Sequence, residues 1–499
     1  MPPLIGSSPI LDCAEAAEFE GHYFGGEPTR EWPAMQAAGR GVAREFMRDA
    51  RSAGLMIDRE GSILVLVGKG HNGGDALIAA GSILAQTRWS IEVGFAFGQN
   101  QLRPLALRAW QELQQSPEGN RVRVVRRRDV QSGYLAVVDG VFGFQFRPPL
   151  SEAVRAWLSV ANQAKVQLRA AVDLPSGLDE EGAFQADATY ATGIFKRPLL
   201  TLPNAGRKRY VDLGFFDHEE DGTKDRVLTS QILDPLRRLR PTNTDKRTFG
   251  MLAVVGGSRS FPGAVGMTVA AALMSGVGNV MAFVPESIAP AFAARWPEAM
   301  WVGCPETEEG NLFMESGLFL RRNLARATGL VVGPGLGREP ETLALVQDIL
   351  RDVAMPVLFD ADALQPDLIE VGEFPRIFTP HRGEFERIAN GRSPKTMAAK
   401  SDRIIVLKGP MTEIHAGEVV YHSVGGGPML ARGGSGDMLA GLIGGRLAAL
   451  PESPLLAAAQ GVEWHSLAAR RVAEISGETA VRTTAILHEL NNVIRKEEI

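Results

Sequence analysis

The sequence predicts an α/β protein with two mostly parallel sheets, and three observations lead there. Short apolar runs alternate with helical patterns along the whole chain, the signature of strand–helix–strand units whose sheet is covered on both faces. A glycine-rich turn follows a strand candidate in each half, at Gly68 and at Gly256. At 499 residues the chain is also about three times a typical domain, so two separate cores are expected. In the first half the strand candidates are 63–67, 91–97, 135–138 and 169–172, with helices at 73–86 and 151–164. In the second half the strands are 251–255, 280–284, 329–332, 357–359 and 404–407. Between them, "FFDHEEDGTKDRVLTSQILDPLRRLRPTNTDKR" is charge-dense and shows no core periodicity. The boundary is therefore placed near Glu220, giving domains 1–220 and 221–499.

Composition narrows the function. A formal net charge of -5 is small and of the wrong sign for a general nucleic-acid binder. Cys13 and Cys304 are the two cysteines, too few for a disulfide framework or a cysteine zinc site. The opening "MPPLIGSSPILDCAEAAEFEG" lacks a basic start followed by an apolar core, so no secretion signal is expected and the protein is assigned to the cytoplasm. The uncharged run from Gly263 to Pro285 is long enough to span a bilayer. Gly276, Gly278 and Asn279 break it, so it reads as a buried helix followed by a strand rather than a membrane segment.

"LVGKGHNGGDALIAAG", from Leu66 to Gly81, raises the first functional question. Gly68, Gly70 and Gly73 fit G-x-G-x-x-G, and Glu92 lies near the distance where a dinucleotide-binding turn places its ribose-binding acid. His71, Asn72 and Asp75 do not belong to that motif. Ligands of an open α/β sheet bind at the carboxyl ends of the strands, and three such ends here carry polar residues. They are "GHNGGD" with Asn72, "VVDGVFGFQF" with Asp139, and "AVDLPSGLD" with Asp173 and Ser176. An amide oxygen, a carboxylate and a hydroxyl from Asn72, Asp139 and Ser176 suit a hard cation that also binds substrate oxygens. Taken singly, each aspartate could instead be a helix cap.

Those blocks, together with "AVDLPSGLDEEGAFQADATYATGIFKRPLL" and the helix "WPAMQAAGRGVAREF", resemble the NAD(P)H-hydrate epimerases over about the first 215 residues. The resemblance implies a Rossmann-like three-layer domain that binds a hydrated nicotinamide nucleotide and K+ and interconverts the R and S hydrates at C6. By position it implies Asn72, Asp139 and Ser176 as potassium ligands. The implied substrate contacts are His71, Asn72, Gly73, Gly74 and Asp75, the loop Gly143, Phe144, Gln145, Phe146, Arg147, Pro148 and Pro149, and Asp173. Proton transfer falls to Asp173, because a positioned carboxylate is needed to move a proton at the hemiaminal centre. The chain departs from the family at His71 and Ala76, where Asn and Gly are usual, and at Gln36 and Ala37, where Glu and Asn are usual.

In the second half "GGSGDMLAG", Gly433 to Gly441, precedes an apolar helix. The turn exposes backbone N–H groups, and the helix N-terminus favours negative charge by roughly 0.3–1 kcal/mol at an exposed site. Asp437 would repel a phosphate held there unless it has work to do, such as taking a proton from a substrate hydroxyl as a phosphoryl group arrives. With "LAVVGGSRSFPGAVGMTVAAA", "LVVGPGLG", "VLFDADAL", "FTPHRGEFERI" and "VLKGPMTEI", this block resembles the ADP-dependent NAD(P)H-hydrate dehydratases over nearly all of residues 240 to 490. The resemblance implies a ribokinase-like α/β domain and dehydration of the S hydrate with ADP as phosphoryl donor, with Mg2+. It carries Ala264, Gly335, His381 and Asp437 over as hydrate contacts, with Asp437 catalytic. Lys408, Gly409, Pro410, Met411 and Thr412, with Gly436, are carried over as the nucleotide site. Departures are Asp245 before Lys246 and the run "GGGPMLARGG".

The order of the halves matches the fused bifunctional hydrate-repair enzymes, a small-molecule function with no nucleic acid or membrane partner and a homo-oligomer expected. Two other readings stay open. One is a ribokinase-like kinase whose product keeps the phosphate, and the other is a first half that binds nucleotide without catalysis, for which His71 speaks.

Overall fold

The computed structural model describes residues 2–216 and 222–495, so the boundary expected near Glu220 lies outside the described residues. The chain forms two compact units. One comprises Ser8–Asp221 with Ala473–Ala480, and the other Met1–Ser7, Gly222–Val472 and Val481–Ile499.

The strands of the first unit are β1 (Ser7–Leu11), β2 (Gly61–Val67), β3 (Trp89–Phe95), β4 (Val122–Val124), β5 (Ala136–Gly140), β6 (Leu168–Val172), β7 (Ala188–Thr192), β8 (Phe195–Lys196) and β9 (Arg207–Val211). Seven of them make one sheet in the order β4-β3-β2-β5-β6-β7-β9, with every pair parallel. Helices cover both faces, so the central strands are apolar without alternation: Ile63 through Val67 are all buried. β3 ends two residues before the expected strand end, because the chain turns at Gly98, where φ is 86°. The short β1 and β8 pair in parallel, Ile10 opposite Phe195.

The second unit contributes β10 (Asp225–Leu228), β11 (Met251–Val255), β12 (Asn279–Pro285), β13 (Met300–Cys304), β14 (Gly329–Val332), β15 (Val357–Phe359), β16 (Arg376–Phe378), β17 (Arg403–Leu407), β18 (Thr412–Ala416) and β19 (Val419–Ser423). Its order is β13-β12-β11-β14-β15-β16-β17-β18-β19-β10, parallel as far as β17 and then antiparallel through β18 and β19. The uncharged run around Gly276 becomes the helix Pro262–Met274 and then β12, and among the described residues no helix is long and apolar enough to cross a membrane.

One expectation is corrected. The charge-dense stretch after Glu220 is not devoid of core contacts: it holds β10 and the 3-10 helix Ser230–Arg237, with Val227, Leu228, Ile232 and Leu233 buried. Four apolar residues in two short elements are too few to register as a period.

Candidate functional site

Polar side chains gather at the carboxyl edge of each sheet. In the first unit β2 runs into Gly68, and the helix His71–Leu84 begins at once, with Gly70 as its N-cap. The glycines permit a tight approach: a Cβ on Gly68 would lie 1.9 Å from the Val141 carbonyl oxygen, and one on Gly73 would lie 2.2 Å from that of Gly68. Gly74 packs against Met35. Gly73 and Gly74 thus serve backbone packing, while His71, Asn72 and Asp75 line a cavity of about 380 Å³.

The same cavity is lined by Gly143, Phe144, Gln145, Phe146 and Asp173. Arg147, Pro148 and Pro149 are exposed and outside that lining, and the half-buried Gln36 and Ala37 also lie outside it. Asp173 follows β6 in the left-handed region, φ 66°, a conformation that costs a non-glycine residue free energy and is held by its surroundings. One oxygen accepts the Phe144 N–H at 2.9 Å and the other pairs with the Lys196 ammonium. Lys196 is 1% exposed, donates also to the Thr192 carbonyl at 3.0 Å and lies 5.0 Å from the Phe144 ring centroid. Gly143 makes this possible, since a Cβ there would sit 2.6 Å from the Asp173 carboxylate and 3.3 Å from the Asn72 amide oxygen.

Asp139, at the end of β5, is fully buried below the cavity. It accepts the Ser176 N–H at 2.8 Å, the Ser176 hydroxyl at 2.7 Å and the Val141 N–H at 3.1 Å. Burial pushes its pKa up to about 6 against those three hydrogen bonds. Ser176 Oγ in turn accepts the Phe142 N–H at 2.8 Å. Asn72 keeps one buried amide atom, Nδ2, without a protein partner. Burial, with Asp173 and Glu20 adding to it, raises the Asp75 pKa well above the carboxylate range. His71 is half exposed and faces Glu31 at 3.6 Å.

Glu92 answers the dinucleotide question. It lies within β3, buried, and accepts from Tyr134 and Arg123, so its carboxylate is engaged in the fold rather than offered to a ribose.

In the second unit the Gly433–Gly436 turn ends at Gly434, φ 82°, the N-cap of the helix Ser435–Ala449. Asp437 stands in the first turn, half-buried, and burial followed by the charge of Asp360 pushes its pKa up to about 6 against the Lys408 ammonium. Lys408 follows β17, and its Nζ would be 3.2 Å from a Cβ on Gly436. It pairs with Asp360 at 3.0 Å and faces Glu384 at 3.7 Å. Burial acts to lower its pKa, but those carboxylates outweigh it and the net shift is upward. Gly409 and Pro410 are exposed in the turn that leads to Thr412 at the start of β18.

His381 caps the helix Arg382–Ala389, Nδ1 accepting the Glu384 N–H at 3.2 Å while Glu384 accepts the His381 N–H at 2.8 Å. The Lys408 N–H donates to Pro380 O at 2.8 Å and joins that cap to β17. Ala264 and Gly335 meet, a Cβ on Gly335 falling 3.0 Å from that of Ala264. Thr268 Oγ1 bonds both Ala264 O and Asp437 O, at 3.1 and 3.0 Å.

Sequence reasoning did not nominate Lys196, Glu20, Asp360 or Glu384. The first, third and fourth lie inside blocks quoted above, but their roles depend on partners 23, 48 and 24 residues away.

Comparison with known proteins agrees with this division. Residues 252–492 match the family described as NAD(P)H-hydrate dehydratase, and residues 33–197 match the family described as YjeF-related protein N-terminus. The Bifunctional NAD(P)H-hydrate repair enzyme Nnr of Gloeobacter violaceus is 35% identical over 464 residues, covering 87% of this chain and 88% of that protein. The chain belongs to the bifunctional NAD(P)H-hydrate repair enzymes. The repair enzyme of Moorella thermoacetica is 31% identical over 469 residues, 87% of this chain and 88% of that one. Among solved structures, the ADP/ATP-dependent NAD(P)H-hydrate dehydratase of Bacillus subtilis aligns at 26% identity with 53% of this chain and 97% of that chain, TM-score 0.45. Membership in the repair enzymes accounts for both glycine-rich turns in one chain.

Proposed function

We propose that the chain restores hydrated NADH and NADPH in two steps, the region 1–220 interconverting the R and S hydrates and the region 221–499 dehydrating the S form with ADP, in the cytoplasm. The observation that carries the reading is Asp437 in the first turn of a glycine-capped helix, beside Lys408. An ammonium and a helix N-terminus attract phosphate, and a carboxylate set among them is a base for the hydroxyl that receives it.

Asp437 takes the proton from the C6 hydroxyl as its oxygen attacks the terminal phosphorus of ADP and AMP departs. The ring nitrogen's lone pair then expels phosphate from C6, and loss of a C5 proton gives the C5–C6 double bond of the dihydronicotinamide. Lys408 and the Gly436 N–H hold the phosphate oxygens, Gly409 to Thr412 border the nucleotide, and Ala264, Gly335 and His381 border the hydrate. Mg2+, when bound with the nucleotide, neutralises phosphate charge.

In the first unit Asp173 exchanges the proton at the hemiaminal centre, with Gly143 to Phe146 and His71, Asn72 and Asp75 against the substrate. The donor set Asn72, Asp139 and Ser176 fits K+ by its chemistry: an amide oxygen, a buried carboxylate and the hydroxyl bonded to it at 2.7 Å are hard oxygen donors. When bound, K+ supplies positive charge for substrate oxygens.

The deciding experiment supplies R and S hydrates separately, with ADP and with ATP, in K+ and in Na+ buffers. Expected are ADP-dependent recovery of NADH absorbance from S hydrate alone, and recovery from R hydrate that follows epimerisation and depends on K+. A stable phosphorylated product without NADH would support a kinase instead.

A further inference from the structure

We propose that Glu20 is the second proton-transfer group of the first unit's cavity, acting together with Asp173. The inference rests on the epimerase reading of that cavity. Glu20 stands on the helix Cys13–Phe24 and lines the cavity with Asp173, Asp75 and His71.

The other acids there are committed. Asp173 is held by the Phe144 N–H and Lys196, and Glu31 faces His71. Asp75 is buried, and burial raises its pKa well above the ordinary carboxylate value. Glu20 has neither a hydrogen bond nor an ion pair among the described residues, so its carboxyl is free to meet a ligand. Burial is the first cause that lifts it to about 7; Lys196 opposes the shift, while Asp173 and Glu31 add to it. The helix-borne Glu20 thus faces Asp173 and Lys196 from the sheet edge, Glu31 and Asp75 from the two neighbouring helices, and the rim histidine.

Inversion at C6 explains why two groups are needed. The stereocentre opens when a base takes the C6 hydroxyl proton, the C6–O bond becomes a carbonyl, and the N1–C6 bond breaks with its electron pair passing to N1. N1 must then receive a proton. Rotation about C5–C6 and reclosure run the same transfers backwards on the other face, so no redox change occurs and no water is consumed. Asp173 is pinned at both oxygens, so it serves one of the two atoms. Glu20 serves the other, and a group that titrates near neutrality can both give and recover the proton.

The test is the pH dependence of R-to-S conversion by the full chain, corrected for the uncatalysed rate. In Glu20→Gln, kcat is expected to fall about a hundredfold with KM within about threefold, a size in line with general acid–base catalysis. The decline of the wild-type rate as pH rises through about 7 should vanish. Glu20→Asp should recover part of kcat, with that limb displaced, and serves as the variant if the glutamine form fails to fold by thermal melting. Unchanged kcat and an unchanged limb in either variant, while Asp173→Asn is inactive, overturns the role of Glu20 alone. Unchanged rates in both Glu20→Gln and Asp173→Asn would remove the epimerase reading of the cavity itself.

Discussion

The two sheet edges use the same parts, a glycine-capped helix, a lysine and several carboxylates, and arrange them for opposite tasks. In the first unit Lys196 is closed off against Asp173, and Asp75 and Glu20 line the same cavity without an ion pair among the described residues. In the second, Lys408 is shared between Asp360 and Glu384 and keeps 21% of its side chain exposed, next to the Gly436 turn. On the proposed reading the buried ion pair organises a place where protons move without net charge. On the same reading the shared, part-exposed ammonium receives a phosphate, with Asp437 beside it as the base. Where the lysine's charge is spent then distinguishes the proposed isomerase edge from the proposed phosphoryl-transfer edge.

The most forceful way to break that contrast is Asp437→Asn. The amide keeps shape and hydrogen bonding but cannot accept the hydroxyl proton, and general-base catalysis contributes about 10²–10⁴-fold. ADP should still bind by calorimetry, S-hydrate dehydration should fall at least about a hundredfold, and R/S conversion should persist. Near-wild-type dehydration at saturating ADP would make Asp437 a helix cap. Next in size is the pair of lysine substitutions. Lys196→Met leaves the Asp173 charge buried and unpaired, which costs about 3–5 kcal/mol. Lys408→Met should destabilise less, because its side chain keeps 21% exposure against 1% for Lys196 and the buried Asp360 retains the Thr379 hydroxyl at 2.8 Å. Thermal melting of both variants checks the order, and equal losses would erase the distinction drawn between the two lysines.

How much of this was open to sequence reading follows from distance along the chain. Asp139, Asp173, Ser176 and Asp437 stand at strand or helix ends beside Gly or Pro, where the parallel-sheet pattern alone says that side chains converge. Lys196 and Asp360 stand in equally apolar surroundings, and only the folded register shows that they face Asp173 and Lys408. Glu20 is one of three glutamates in the helix Cys13–Phe24, with Glu15 and Glu18, and nothing local marks it as the one that meets a cavity. Glu92 taught the reverse: its spacing suited a ribose contact, yet Tyr134 and Arg123 claim it. β18, β19 and β10 were missed because each buries only one or two apolar residues, too few to show a period.

Asp139→Ala sharpens the separation of the two edges. It removes a carboxylate that holds Ser176 by two hydrogen bonds, at 2.8 and 2.7 Å, and loss of a metal ligand's support typically costs about 10–100-fold. Epimerisation should fall by that order and lose its K+ dependence, with dehydration of pure S hydrate unchanged; equal loss of both in a folded variant would argue against separate sites. A pH profile comes next. Burial pushes the Asp437 pKa up to about 6, and as the proposed base it must be unprotonated, so dehydration kcat/KM should be level above that pH and fall as pH drops through it, about tenfold per unit well below it. A profile flat down to pH 5 would take the proton-accepting role from Asp437.

The smallest effect is expected at the rim. His71 is half exposed and meets Glu31 at 3.6 Å, a distance at which an ion pair between accessible groups contributes little. An asparagine at 71 can still donate and accept hydrogen bonds towards the cavity, and it restores the residue usual in the family. His71→Asn should therefore leave epimerisation within about threefold of wild type, with any change towards faster turnover, and dehydration untouched. The check is R-to-S conversion measured across pH 5.5 to 8, a span of ~2.5 units about the ordinary histidine range. A loss of more than about tenfold, roughly 1.4 kcal/mol of transition-state stabilisation, would show that the imidazole has taken a role of its own. In that case the first edge would contain a rim group acting beside Asp173 and Glu20, and the contrast with the second edge would rest on Lys408 alone.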